Sequence, residues 1–480
     1  MFLLSLGEEL FKYQEKGFLS FHTPGHKGKR EFFEGLNFPE QDLTELSGLD
    51  MLHAPQGVIA EAQKRAAQVF GAEESFFLVN GATVGNQAMF LALAGTKGKV
   101  LVERQSHRSV MASLVLSGLE PVYLKSIIHP EFHLPLGYEY KIEPQLWRGI
   151  QGIHLTYPSY YGTLSDIAPV VRGRELWAPS IPILVDQAHG SHFLSKLFPS
   201  GALAWGADLV LHSSHKTLSA LTQAAMLHVQ GERISRSRLK QALEMLQSSS
   251  PSYLLMASLE RAVEFAQQEN RWNLLFEAVQ ELHGQAGKAL RILNPGDQGQ
   301  YGIDQLDWSK ILVNTSSLGL AAPLAVDFLR TRFRIEPELW DQENILFLLG
   351  IGNTPEEVLR LTEGLIAMAE WAHQVNGLGV TPSKLRENTL RSAKELEISL
   401  PPLRLTPREA FLAPKRQIPL KESLGKILGE SISPYPPGIP WVVMGEEMTP
   451  EVLEALLNSP SKRWQGWDNP EHGIWVIEEG

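Results

Sequence analysis
No cysteine occurs among the 480 residues. That excludes disulfide bridges, thiolate metal sites and a cysteine nucleophile, and it is neutral about compartment. Long apolar runs are missing too. No 18-residue stretch is free of charge, so no membrane-spanning helix is expected. There is no Lys/Arg block, and 43 basic against 54 acidic side chains leave a net charge of -11. This argues against a nucleic-acid footprint or an anionic membrane surface and fits small cationic partners better. The opening MFLLSLGEELFKYQEKG has a very short apolar run before Glu8 and Glu9 and no basic flank. It makes a poor secretory signal and reads as the start of an amphipathic helix, so a soluble, cytoplasmic protein is expected.

What is present is ample core material: 43% of the residues are hydrophobic, and the length predicts two or three domains. Residues 1–57 read as a helix followed by an irregular, Pro/Gly/His-rich arm, suited to packing on something specific such as a partner subunit. From 58 the text turns regular. Helix IAEAQKRAAQVFG stops at Gly71, strand SFFLV leads into the turn NGATVGN, and helix QAMFLALAG ends at Gly95. Strands KVLVE, EPVYLK, GIHLTY, IPILVD, ADLVLHS and AAMLHV follow, mostly separated by helical patterns. Such runs predict an α/β fold with a mostly parallel seven-stranded sheet covered on both faces, within a large domain over 58–290. A long helical region at 253–288 leads out of it. A smaller α+β unit is expected over 291–376, and a linker and C-terminal segment over 377–480.

Chemistry-bearing residues gather at the predicted strand ends, where ligands sit in such folds: Asn80, His107, Asp186 and Ser213. Just past one strand, HSSHKTLSALTQAA surrounds Lys216 with Ser213, His215, Thr217 and Ser219. Upstream, Asp186 closes PILVD. A lysine for Schiff-base chemistry and a carboxylate for a ring nitrogen are two fixtures that pyridoxal phosphate needs. The glycine turn with Thr83 can offer backbone N–H groups to a phosphate, or be a plain structural turn. Asp186 can instead cap a helix, His107 can be an ordinary loop histidine rather than one stacked on a ring, and His189 can face the ring oxygen or cap a helix. Ser213 and His215 suit phosphate binding, with His215 also a candidate proton donor. His22, His26, His53, His107, His189, His192, His212 and His215 include the close spacings HTPGH and HGSH, but neither is a compact zinc pattern and no metal is expected.

Longer runs carry a resemblance. FHTPGHKG (21–28), the stretch DLTELSGLD to NGATVGNQAM (42–89), the pair His107 and Arg108, TYPSYYG (156–162), VDQAHGSH (185–192), SSHKTLSALTQ (213–223), SSPSYLLMASLE (249–260), TPREAF (406–411) and PYPPGIP (434–440) are its carriers. Through them the sequence resembles the Orn/Lys/Arg decarboxylase family of fold-type I pyridoxal-phosphate enzymes, in a short form without an N-terminal receiver-like domain. The resemblance implies Lys216 as the Schiff-base lysine, Asp186 as partner of the ring nitrogen and His107 as the stacking residue. It implies Thr83, Ser213 and His215 as phosphate contacts, with Gly81, Ala82 and His189 also in the cofactor site.

Further implications are a homodimer or larger assembly, with the Ser250–Tyr253 segment near its interface, and decarboxylation of a basic L-amino acid in polyamine biosynthesis. Arginine (giving agmatine) is favoured over lysine (cadaverine) and ornithine (putrescine). Transamination, elimination or a silent cofactor-binding role are the alternatives. Three departures stand out: Ala82 replaces a hydroxyl residue of many relatives, His189 stands where some long forms have tryptophan, and MGEE (444–447) replaces the usual PGE. The residue that reads the distal cation is not placed by the sequence.

Overall fold
The computed structural model describes residues 15–36, 38, 41–94, 98–377, 400–434, 440–458, 464–467 and 473–478. At its centre is a seven-stranded sheet. Its strands are β1 (Glu74–Leu78), β2 (Lys99–Glu103), β3 (Glu120–Leu124), β4 (Ile150–Thr156), β5 (Ile183–Asp186), β6 (Leu209–His212) and β7 (Ala225–Val229). They lie in the order β1-β7-β6-β5-β4-β2-β3. β5, β6 and β7 are buried at every position, as strands covered on both faces must be. β7 alone runs antiparallel to its neighbours. The connection 213–224 is too short for a helical crossover, so the chain returns alongside β6 and leaves Lys216 in a tight loop at the strand ends.

Helices cover the sheet: α1 (Val58–Phe70), α2 (Gly81–Leu93), α3 (Arg108–Ser117), α4 (Ala168–Trp177), α5 (Arg236–Leu246), α6 (Tyr253–Ala266) and α7 (Glu269–Ala286). Gly71, at φ 72°, ends α1 by giving its N–H to Ala67 O, the left-handed cap the sequence signals. Two readings shift. The helical region 253–288 divides at Gln267 and Gln268 into α6 and α7. The segment read as a turn after β1 is already helix from Gly81, whose φ of 78° turns the chain out of the strand. At Gly85 a Cβ would stand 2.3 Å from Leu211, so only glycine lets this first turn lie directly on β6.

A second, antiparallel sheet holds β8 (Arg291–Ile292), β9 (Lys310–Asn314), β10 (Leu339–Trp340) and β11 (Asn344–Leu348) in the order β8-β9-β11-β10. Helix α8 (Pro355–Gly377) packs against α7, and one apolar core joins both sheets through residues such as Val185, Trp272 and Phe347.

The N-terminal arm packs on its own chain. Strand Leu19–Phe21 pairs with Ile335–Pro337, and Gly25 N donates to His215 O at 2.7 Å. A Cβ at Gly25 would fall 2.3 Å from Leu218 O, so this glycine lets the arm touch the lysine loop. C-terminal residues form a separate small core around Ile432, Val442 and Val476. Met444, in the proline position of the related motif, uses an N–H that proline lacks to reach Ser431 Oγ at 3.0 Å. The expected opening helix at 1–14, Gly95, the linker at 378–399 and residues 435–439 of PYPPGIP lie outside the described residues. Among the described residues no helix is long and apolar enough to cross a membrane.

Candidate active site
β1, β2, β5 and β6 all deliver their C-terminal ends to one cavity of about 630 Å³. It is lined by Gly81, Ala82, Thr83, His107, Asp186, His189, Ser213, His215 and Lys216, so the structure brings together every residue singled out from the sequence for the cofactor site. Lys216 stands on a single helical turn, Ser214–Thr217, with Nζ 2.9 Å from His189 Nε2. Burial lowers the lysine pKa, with Asp186 and Glu338 opposing and Lys310 adding to the shift. His189 is pushed well below its usual value by burial and then by Lys216. The lysine is therefore held toward the neutral, nucleophilic amine.

Asp186 is buried, and its carboxylate accepts from Asn86 Nδ2 at 2.8 Å and from Ala188 N at 3.1 Å. His107 Nδ1 accepts from Ser109 N at 3.2 Å and lies 2.8 Å from Ser109 Oγ. Because a backbone N–H only donates, Nδ1 is the unprotonated nitrogen and the neutral ring carries its hydrogen on Nε2. The cavity walls and then Lys216 depress the His107 pKa to about 4, so neutral is its resting state.

α2 starts at the cavity wall with no side-chain cap, because Asn80 Oδ1 accepts instead from Ser248 N at 3.1 Å. The positive end of this helix favours an anion. Opposite it, His215 Nδ1 lies 3.2 Å from both Ser213 Oγ and Ala224 O. The carbonyl can only accept, so Nδ1 bears the hydrogen. In the predicted interface segment, Ser252 caps α6 and Tyr253 Oη donates to Asp50 O at 2.7 Å.

Sequence reasoning missed Glu103, Glu338, Asn86 and His154. Glu338 lines the cavity from the loop before β10, its Oε2 accepting from Thr23 N and its Oε1 from Tyr160 Oη, both at 2.7 Å. Asn86 lay within a quoted motif. The others had no local signal, since each gains its setting from distant chain.

Glu103 accepts from Tyr140 Oη at 2.5 Å and Thr156 N at 3.0 Å. Burial raises its pKa from 4.5 to about 7, against these hydrogen bonds and with a smaller push from Asp186. A carboxyl so raised stabilises the fold fully below pH 4.5 and loses that contribution as pH climbs through about 7. Glu103→Gln is thus expected to gain about 2–3 kcal/mol on the wild type between about pH 5 and pH 8.5. Urea unfolding at the two pH values checks this; parallel stabilities would refute it.

The profile described as the Orn/Lys/Arg decarboxylase major domain matches residues 5–298, and that of the family's C-terminal domain matches 391–476. The chain belongs to the Orn/Lys/Arg decarboxylase family. Arginine decarboxylase of Bacillus subtilis is 34% identical, over 98% of this chain and 97% of that one. The lysine decarboxylase LdcA of Pseudomonas aeruginosa is 25% identical, over 95% of this chain and 76% of that one. In fold, the constitutive lysine decarboxylase of Escherichia coli superposes with a TM-score of 0.76 at 21% identity, covering 98% of this chain and 81% of that one.

This family member is a carboxy-lyase that acts on a basic amino acid with pyridoxal phosphate as cofactor. Its cavity suits that group. It joins a desolvated amine, a buried carboxylate and an uncapped helix start, and two buried polar atoms on its wall, His189 Nδ1 and Ser106 Oγ, have no hydrogen-bond partner among the described residues.

Proposed function
We propose that the protein decarboxylates arginine to agmatine, with lysine and ornithine as poorer substrates. The carrying observation is the 34% identity to the Bacillus subtilis arginine decarboxylase over nearly all of both chains, against 24–25% for lysine decarboxylases. When bound, pyridoxal phosphate supplies an electron sink for the pair released as the Cα–carboxylate bond breaks. Lys216 is the amine that carries the cofactor, shifted toward the uncharged form by burial and held by His189. Asp186 pairs with the ring nitrogen and His107 covers the ring face. The α2 N–H groups at Gly81, Ala82 and Thr83, with the Thr83 hydroxyl, Ser213 and His215, hold the phosphate; the methyl of Ala82 leaves its backbone donor in place. The neutral His215 ring has its one hydrogen on Nδ1, committed to Ala224 O, which counts against proton donation to Cα; the ring offers the phosphate a donor only when Nε2 is protonated as well. The active unit is proposed to be a homodimer.

Three carboxylates line the cavity: Glu103, Asp186 and Glu338. Glu103 is shifted toward its neutral acid by burial and already accepts from Tyr140 and Thr156, and Asp186 is assigned to the cofactor. Glu338 remains to meet the distal cation of the substrate, steadied by Thr23 and Tyr160. Release of CO2 and amine from arginine, lysine and ornithine, each supplied separately to cofactor-loaded protein, is the test. Arginine is expected to react fastest, and Glu338→Gln to raise its KM roughly 10- to 100-fold with a smaller change in kcat, as loss of a charge-assisted hydrogen bond of about 1.5–3 kcal/mol implies. Preference for lysine or ornithine would overturn the substrate, and keto-acid formation without CO2 would overturn the reaction.

A further inference from the structure
A chain of hydrogen bonds, buried except at its His107 end, runs beneath the cavity. His154, on β4, has Nε2 3.1 Å from Asn86 Oδ1. Asn86, on α2, directs its amide nitrogen to Asp186 Oδ2 at 2.8 Å and to Ser109 Oγ at 2.9 Å, and Ser109 Oγ lies 2.8 Å from His107 Nδ1. The exposure of Asn86 is 1% and that of His154 is 0%.

The donors can be assigned throughout. A carboxylate only accepts, so Asn86 must turn its NH2 toward Asp186 and its carbonyl toward His154. Only an N–H suits that carbonyl, so His154 carries its hydrogen on Nε2. Ser109, receiving from Asn86, is free to give its hydroxyl hydrogen to His107 Nδ1. Burial keeps the His154 ring neutral, with a pKa near 4, and preserves this order at physiological pH.

We propose that His154 and Asn86 are positioning residues that set the Asp186 carboxylate for the cofactor's ring nitrogen and hold His107 in the tautomer with its hydrogen on Nε2. Asn86 is the branch point: one amide group serves both the carboxylate below the ring and the imidazole covering it. The inference rests on the assignment of Asp186 and His107 made above.

The test reads the pH midpoint of the visible absorbance of the cofactor-loaded protein. An anionic Asp186 keeps the ring nitrogen positive, and that charge opposes a further positive charge at Lys216. Without the Asn86 donor this opposition weakens. Asn86→Leu and His154→Phe are therefore expected to move the midpoint upward by about one pH unit and to lower kcat/KM roughly 10- to 100-fold. His154→Gln, which retains an N–H, should stay near the wild type. Asp186→Asn should show the largest upward movement. His228→Phe removes an equally buried histidine whose bonds run to Ser75 and His212, and should lower the melting temperature while leaving the midpoint in place. If Asp186→Asn moves the midpoint but Asn86→Leu and His154→Phe do not, the two residues are structural filler and the inference fails. If even Asp186→Asn leaves it unmoved, the ring-nitrogen assignment fails and takes the inference with it.

Discussion

Lys216→Ala protein is expected to lose amine release by on the order of 10⁴-fold or more, the scale on which removal of a covalent catalyst acts. The visible absorbance of bound cofactor should disappear with it. The fold should survive. Lys216 ends against His189 in a desolvated site that lowers its pKa, so folding holds the ammonium form at a disadvantage and alanine removes that penalty. By the sign of the shift, the alanine variant should gain stability relative to the wild type at pH values below the ordinary lysine range, where the unfolded lysine is protonated. Amine release, absorbance and thermal melting on the same samples test this together. Residual turnover within tenfold of wild type would remove Lys216 from its central place, whatever the melting curve shows.

Glu446→Gln is expected to cost about 3–5 kcal/mol of stability, because it leaves a buried guanidinium without its counter-ion. Arg104 and Glu446 have side-chain exposures of 7% and 0%. They meet through two hydrogen bonds of 2.6 and 2.8 Å, and Glu446 also accepts from Val443 N at 2.7 Å. Arg104 further reaches Trp441 O at 3.1 Å and lies over the Tyr123 ring.

The pair ties the C-terminal segment to the end of β2, immediately beside the cavity residues Glu103, Gln105 and Ser106. Loss of Glu446 should therefore reduce activity as well as stability, although it touches no substrate. The double change Arg104→Met with Glu446→Leu removes both charges and should recover most of the lost stability, since an apolar pair carries no desolvation penalty. Urea unfolding of the single and double variants decides it. A single variant within about 1 kcal/mol of wild type would place the pair among ordinary surface bridges.

The sheet and its helices were legible wherever the signal was local. Strands buried on both faces read as short apolar runs, and Gly71 marked the end of α1 by the φ it must adopt. Lys216 and Asp186 were legible for the same reason, each standing at the end of such a run. The start of α2 was not, because its helical state depends on Gly85 lying against Leu211, a contact with β6 that periodicity does not encode. The reversed direction of β7 likewise follows from the length of one connection rather than from its composition.

Sequence alone therefore determined the α/β architecture, the family and the residues that gather at the strand ends, since these follow from apolar spacing, glycine conformation and motif. Tertiary structure decided which side chains meet. Thr23 and Glu338 bond across 315 residues of chain, and Arg104 and Glu446 across 342. It also decided charge: Glu103 is raised to about 7, His107 is lowered to about 4, and the Lys216 amine is shifted toward neutrality. A protonation state reflects how much water the fold removes from a group and which charges it leaves nearby, and neither is written in the order of neighbouring residues.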